Sequence, residues 1–254
     1  MPQEEAQKYK IAETISIISH SLKNPIAVLR GYLESLLGGD CGAINLSQKE
    51  YLGDALFNLK EMSKAIDNLI DASRIETGEY KLNMQLVSLE EISFKVLSEF
   101  YQWAQAANCK IVFKKQKDLP SVLTDPVKVR KVIENLISNA IKYNVGQGTI
   151  EVSLLLKAGQ KEIIFSCKDN GIGIDQSDHK KIFTKFFRSE KAIEIDPSGS
   201  GLGLYINKAI IELSRGRIWF VKNKKRGMTF SFALPIAKGP TVKRFILKKN
   251  SRNK

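Results

Sequence analysis

The chain has 254 residues, 43% of them hydrophobic, enough to bury a sizeable core and more naturally two domains than one. No uninterrupted apolar run approaches the length of a bilayer span, and the N-terminal MPQEEAQKYK lacks the apolar core of a signal peptide. The pattern is that of a soluble chain, and membrane attachment would need a partner. Cys41, Cys109 and Cys167 are odd in number and form no CxxC pair, which argues against a disulfide framework or a zinc site and for a reducing, cytoplasmic setting. The net charge of +13 resembles a nucleic-acid signal until it is localised: residues 238–254 hold seven Lys or Arg and no acid. Such a basic tail reads first as a solvated end, with contact to an acidic membrane surface or an acidic partner as the alternative. No basic run is interleaved with stacking aromatics, so nucleic acid is not expected as a partner.

In chain order, the first element is a long amphipathic helix. Apolar residues recur at Ile11, Ile15, Ile18, Leu22, Ile26, Leu29, Leu33 and Leu36, a spacing mostly of three and four that describes a bundle seam. His20 lies between seam positions, so its ring is expected to reach solvent. Pro25 removes the backbone donor for the Ser21 carbonyl and crowds it, which is expected to loosen or bend the turn after His20. The helix is expected to end near Gly38-Gly39, and Ser47-Gln48-Lys49-Glu50 reads as the capping box of a second helix. Leu52, Leu56, Leu59, Met62, Ile66 and Leu69 continue the pattern, and the short connection makes the two helices antiparallel neighbours. A two-helix hairpin alone has a poor core, so a homodimer that closes a four-helix bundle is expected.

After Arg74-Ile75-Glu76-Thr77-Gly78 the periodicity changes. Strands are expected at 81–87, 110–113, 149–156, 162–168, 217–221 and 228–234, and helices at 89–107, 126–143 and 202–214, with a turn at Ala158-Gly159-Gln160. This mixture implies an α+β chain: an antiparallel helical hairpin followed by an α/β sandwich, with a mixed sheet covered by helices on one face.

Four motifs fall in this second part. Asn135 and Asn139 stand one turn apart on a single helix face, where they either orient a hydrated magnesium ion or are two solvated amides. Asp169-Asn170-Gly171-Ile172-Gly173-Ile174 follows a strand; an ionised aspartate there accepts from adenine's exocyclic amine and rejects guanine's carbonyl, although an ordinary Asp-Asn-Gly turn looks the same. Ile182 to Arg188 holds aromatics that pack as a hinge or simply as core, with Lys185 or Arg188 as candidates to reach phosphate. Gly199-Ser200-Gly201-Leu202-Gly203-Leu204 opens a helix, where free N–H groups favour phosphate, and the polar segment through Pro197-Ser198 has the composition of a lid.

In this order and spacing the ensemble resembles the sensor histidine kinases of two-component systems, from about residue 10 to 236. The His20 segment is similar to that family's H box, 135–143 to its N box, 169–174 to its first glycine box, 182–188 to its F box and 199–204 to its second glycine box. The resemblance implies a dimerisation and histidine-phosphotransfer domain at 1–78, a Bergerat-type ATP-binding domain at 79–237 and a basic tail at 238–254. It implies ATP and Mg2+ as cofactors, and a homodimer and the receiver domain of a response regulator as partners. By the same resemblance His20 is the phosphoryl acceptor, Asn139 the principal magnesium-binding asparagine with Asn135 assisting, Lys142 a phosphate contact, Tyr143 an adenine-stacking ring and Asp169 the adenine reader. Gly171, Gly173, Lys185, Arg188, Gly199, Gly201, Leu202 and Gly203 complete the implied nucleotide site.

One departure stands out. Family members mostly carry Glu or Asp directly after the histidine, and this chain has Ser21, a neutral and weaker partner for the imidazole Nδ1–H. Asn24 matches the position, one turn beyond His20, that orients a water for dephosphorylating a response regulator. The expected activity is therefore an ATP-dependent protein-histidine kinase acting on His20 and then on a regulator aspartate. The alternatives are a phosphatase-biased or weakly active homologue and a Bergerat-fold ATPase without phosphotransfer. Only about ten residues precede the first heptad, so the chain is either a fragment or a cytoplasmic kinase switched by a separate sensor protein, and the sequence does not identify the stimulus.

Overall fold

The computed structural model describes residues 3–157, 159 and 161–237, except for the side chains of 3–9, 11–13, 16 and 20. The expected turn at Ala158-Gly159-Gln160 falls largely outside the described residues, and the basic tail 238–254 does so entirely. Two compact units emerge, one drawn from Met1–Lys81 and Ile174–Ala209, the other from Leu82–Gly173 and Ile210–Lys254. The segment 174–209, expected in the ATP-binding part, thus groups with the hairpin.

In the first unit, α1 (Gln3–Gly38) and α2 (Leu46–Glu76) are the expected helices, and α1 is helical through Pro25. The cap of α2 differs from expectation. Asn45, not Ser47, is the N-cap: its side chain accepts from Gln48 N at 2.8 Å while Gln48 returns a bond to Asn45 N at 2.9 Å. Asn is as good a cap as Ser, and starting two residues earlier adds intrahelical bonds at no cost in capping. Ile26, Leu59 and Ile66 form the buried core of the hairpin, with Leu33 and Ile70 against it, each full burial contributing roughly 1.5–3 kcal/mol. Lys23 pairs with Asp67 across the helices at 2.6 Å, an exposed and correspondingly weak contact one turn beyond His20. Other seam residues, Ile18, Leu22, Leu29 and Met62, remain about half exposed in the single chain.

The second unit is a mixed sheet with helices on one face. Its strands are β2 (Cys109–Lys115), β4 (Gly148–Lys157), β5 (Glu162–Lys168), β6 (Arg217–Lys222) and β7 (Met228–Pro235), in the order β2-β4-β5-β7-β6. Only the β2–β4 pair is parallel. α3 (Leu89–Ala106) packs on β2 and on α4 (Pro126–Lys142), which lies over β4 and β5. Val129, Val132, Ile133, Leu136, Ile137 and Ile141 recur at helical spacing along α4 and are all buried, as are the stacked rings of Phe165 and Phe232, centroids 4.9 Å apart. Asp125 starts α4 by accepting from Val127 N and Lys128 N, and its second oxygen accepts from Asn83 N.

The expected strand at 81–87 contracts to β1 (Gln85–Val87), which pairs with an unanticipated β3 (Val122–Thr124). β3 is too short to show a period, and it is held from outside by a buried hydroxyl pair, Thr124 Oγ1 to Ser214 Oγ at 2.8 Å. In the first unit, the segment read as a lid contains a short α5 (Glu190–Ile195), with Ser189 as its N-cap. The helix after the second glycine motif, α6 (Gly203–Leu213), begins one residue later than expected.

Candidate active site

In the sheet unit, α4 ends at the predicted N box. Asn135 and Asn139 sit four residues apart on one helix face, partly exposed among buried Leu136, Ile137 and Ala140. The Asn135 Nδ2 atom is buried and has no hydrogen-bond partner among the described residues. A buried donor of this kind costs free energy unless an acceptor such as a water or phosphate oxygen satisfies it, and the amide oxygens of the two asparagines are the atoms suited to an oxygen-preferring ion. Among the described residues no trio of His, Cys, Asp or Glu offers an alternative metal site. Lys142 forms the last turn of the helix and Tyr143 its C-cap.

Tyr143 joins this helix end to the first glycine motif, its carbonyl accepting from Ile172 N at 3.1 Å. Asp169, just after β5, is held from several sides. Its Oδ1 accepts from Gly171 N at 2.9 Å and from Met228 N at 3.1 Å. Its own N–H donates to Met228 O at 2.9 Å. Both directional bonds land on one oxygen, which leaves Oδ2 to accept from an incoming donor. Burial raises the Asp169 pKa above the ordinary carboxylate value, and the N–H groups of Gly171 and Met228 pull in the opposite direction. Beside it, burial also pushes the Cys167 thiol upward, so this cysteine is an inert core group. The structure therefore brings Tyr143, Asp169 and Gly171 together, with Gly173 closing the same loop.

In the first unit, the F box and the second glycine motif form one clasp. Arg188 donates from Nη1 to the carbonyls of Pro197 (3.0 Å) and Gly199 (2.9 Å), and from Nη2 to those of Ala192 (3.0 Å) and Asp196. The guanidinium thus gathers the carbonyl end of α5 and the loop after it. Gly201 has φ +68°, and a Cβ there would lie 2.7 Å from the Phe186 carbonyl carbon, so glycine is required by close packing against the F box as much as by any ligand. Leu202 is buried beneath, and Gly203 opens α6.

Lys185, the other expected phosphate contact, pairs with Glu76 at the end of α2, and Tyr205 lies close enough that Glu76 adds to burial in raising its pKa. Both partners of the Lys185 pair are nearly half exposed, so the bond is weak and exchangeable.

His20 lies on α1, with its side chain outside the described set. The following Ser21 donates its hydroxyl proton to the Ile17 carbonyl at 2.9 Å, so toward any other donor it presents lone pairs only. Asn24 is exposed one turn further on. Sequence reasoning missed Asn223, Arg226 and Gly227, which touch the Asp169 loop from the β6–β7 turn, and Glu76. Their types suggest only a polar basic turn and a helix end.

The arrangement is a helical hairpin carrying a histidine, together with a mixed-sheet α/β domain. Residues 10–78 match the His Kinase A (phospho-acceptor) domain, and residues 124–238 match the histidine kinase-, DNA gyrase B-, and HSP90-like ATPase family. The chain belongs to the sensor histidine kinases of two-component systems. It is 28% identical to the sensor histidine kinase WalK of Bacillus subtilis over 88% of this chain and 36% of that protein. It is 29% identical to the adaptive-response sensory kinase SasA of Synechocystis sp. over 88% of this chain and 59% of that one. It therefore spans roughly a third to three-fifths of these relatives. Among solved structures, full-length ShkA in complex with AMPPNP superposes with a TM-score of 0.70 at 21% identity, covering 89% of this chain and 46% of that one. The catalytic domain of the histidine kinase ThkA matches at 0.53 and 26% identity, over 61% of this chain and 98% of that one. Among the described residues no helix is long and apolar enough to cross a membrane.

Proposed function

We propose that this chain is an ATP-dependent protein-histidine kinase that phosphorylates His20 and passes the phosphoryl group to an aspartate of a response-regulator receiver domain. The carrying observation is the pairing of a phospho-acceptor match around His20 with an Asp169 carboxylate that has one oxygen saturated and the other open. Residues 1–78 serve dimerisation and phosphotransfer and 79–237 ATP binding, a division supported by the two family matches. The half-exposed seam on α1 and α2 supports a homodimer.

In this reading Asp169 Oδ2 accepts from adenine's amine, Tyr143 stacks on the base, and Lys142 and the N–H groups at Gly199–Gly203 contact phosphate. Asn139 and Asn135 hold magnesium, which when bound neutralises charge on the phosphates. Imidazole Nε2 of His20 attacks the γ-phosphorus in line, the bond from phosphorus to the bridging oxygen breaks, and ADP departs with its electron pair. The ring then carries a proton at Nδ1 that a neighbouring acceptor removes. Transfer to the regulator carboxylate, with a proton returned to the ring, regenerates neutral histidine.

A second reading, a phosphatase-biased enzyme, is favoured by Ser21, whose hydroxyl proton is committed to Ile17, and by exposed Asn24. Incubation with γ-labelled ATP followed by acid and alkali treatment tests the main reading. Acid-labile, alkali-stable label is expected in the wild type and none in His20→Gln. Equal labelling of the two forms would overturn the assignment.

A further inference from the structure

We propose that Asn223, in the turn between β6 and β7, is a positioning residue that sets base specificity by holding the Asp169 peptide. The inference rests on Asp169 being the adenine reader.

Asn223 Nδ2 donates to the Asp169 carbonyl at 2.7 Å, and its Oδ1 accepts from Thr229 Oγ1 at 2.6 Å. The orientation of this amide is unambiguous. A peptide carbonyl only accepts, so Nδ2 must face Asp169, and Oδ1 is left for the Thr229 hydroxyl, which must donate. The same short turn holds the loop at three more points. Arg226 Nε donates to Gly171 O at 3.1 Å, Met228 N donates to Asp169 Oδ1 at 3.1 Å, and Met228 O accepts from Asp169 N at 2.9 Å. Asn223 N also closes the turn on Gly227 O at 3.1 Å. Gly227 has φ +81°, and a Cβ there would collide with the Asp169 carbonyl, so the turn is pressed directly against the reader's backbone.

This geometry divides the work. Met228 N and Gly171 N fix Oδ1, while Asn223 fixes the Asp169 carbonyl and hence the plane from which the side chain departs. The direction of the open Oδ2 follows from both. Asn is suited to the position because it donates and accepts at once; Asp lacks the donor, and Ala lacks both groups. The signal in the chain is faint, since Asn223-Lys224-Lys225-Arg226-Gly227 reads as an ordinary basic turn.

The test compares the affinities of ATP and inosine triphosphate, which replaces the exocyclic amine by a carbonyl, using calorimetry with magnesium present. Asn223→Asp keeps the acceptor for Thr229 but removes the donor to Asp169, and Thr229→Val releases the carboxamide without touching Asp169. Each is expected to reduce the preference for ATP by about tenfold, the scale of one hydrogen bond, with inosine triphosphate binding little changed. Thr229→Ser is expected to behave as wild type. If Asn223→Asp fails to fold by circular dichroism, the Thr229 pair decides. Equal weakening of both nucleotides would mark a merely structural role and overturn the inference. So would an unchanged preference in Asn223→Asp and Thr229→Val alongside a lost one in Asp169→Asn, which leaves the adenine reading standing. An unchanged preference in Asp169→Asn itself sinks the adenine reading and this inference with it.

Discussion

At residue scale the chemistry turns on Asp169 and Ser21. The folded Asp169 pKa lies above its unfolded value of about 3.9, because burial outweighs the backbone N–H groups of Gly171, Met228 and Asp169 itself. The sign follows from linkage: the folded state holds the proton more tightly, so this group favours folding at pH below the unfolded pKa. That contribution is lost as pH rises through the folded pKa. In the proposed function, binding depends on the ionised form of Asp169 as the acceptor for adenine's amine. ATP affinity is therefore expected to fall on acidification at a higher pH than an ordinary aspartate would give. Asp169→Asn is expected to bind about 10- to 100-fold more weakly at pH 7.5 and to lose that acid limb, as measured by calorimetry across pH. An acid limb persisting unchanged in the variant would assign it to another group. At Ser21, a carboxylate would accept the Nδ1–H of His20 as an anion, whereas the serine hydroxyl is neutral and already spends its proton on Ile17. Ser21→Glu is expected to raise the single-turnover autophosphorylation rate at saturating ATP at least about tenfold, within the range of a general base. An equal or slower rate would place the base elsewhere.

At the scale of elements, the F box and second glycine motif behave as one piece closed by Arg188. Its planar fork reaches four carbonyls at once, and a lysine ammonium in its place cannot reproduce that spread. Arg188→Lys is expected to speed amide exchange across 190–199 and to raise the KM for ATP about tenfold, with a smaller change in kcat. Unchanged exchange would show that α5 holds without the clasp. The motifs themselves were legible from glycine spacing, but the role of these residues was not. Glycine spacing and charge lead to an expectation of phosphate contact at Gly201 and Arg188, and the structure shows Gly201 packed against Phe186 and Arg188 bonded to the carbonyls of Ala192, Asp196, Pro197 and Gly199. Capping illustrates the same limit, since two overlapping signatures at Asn45 and Ser47 differ by two residues and only the formed helix chooses between them.

For the whole molecule, the hairpin exposes Ile18, Leu22 and Leu29 on α1 and Met62 on α2, apolar side chains that one chain alone leaves in water. Burying each in a four-helix bundle is worth roughly 1.5–3 kcal/mol before the entropy of association. Leu22→Asp combined with Leu29→Asp is expected to give a monomer that retains its helices and still binds ATP, as measured by sedimentation and calorimetry. A persistent dimer would move the interface to another surface.

The sequence by itself determined what is local: two long helices from three-and-four spacing, the apolar face of α4, most strands of the mixed sheet, and the boxes around His20, Asn139, Asp169 and Gly201. Periodicity, capping and turn chemistry act within a few residues, and a linear reading captures them. The tertiary structure decided what joins distant segments. The β1–β3 pairing depends on partners about 37 residues apart. Asn223 is 54 residues from Asp169, and Lys185 is 109 from Glu76. Such bonds are selected by which surfaces the packed core brings into reach, and a polar turn such as Asn223–Gly227 carries no mark of the carbonyl it will meet.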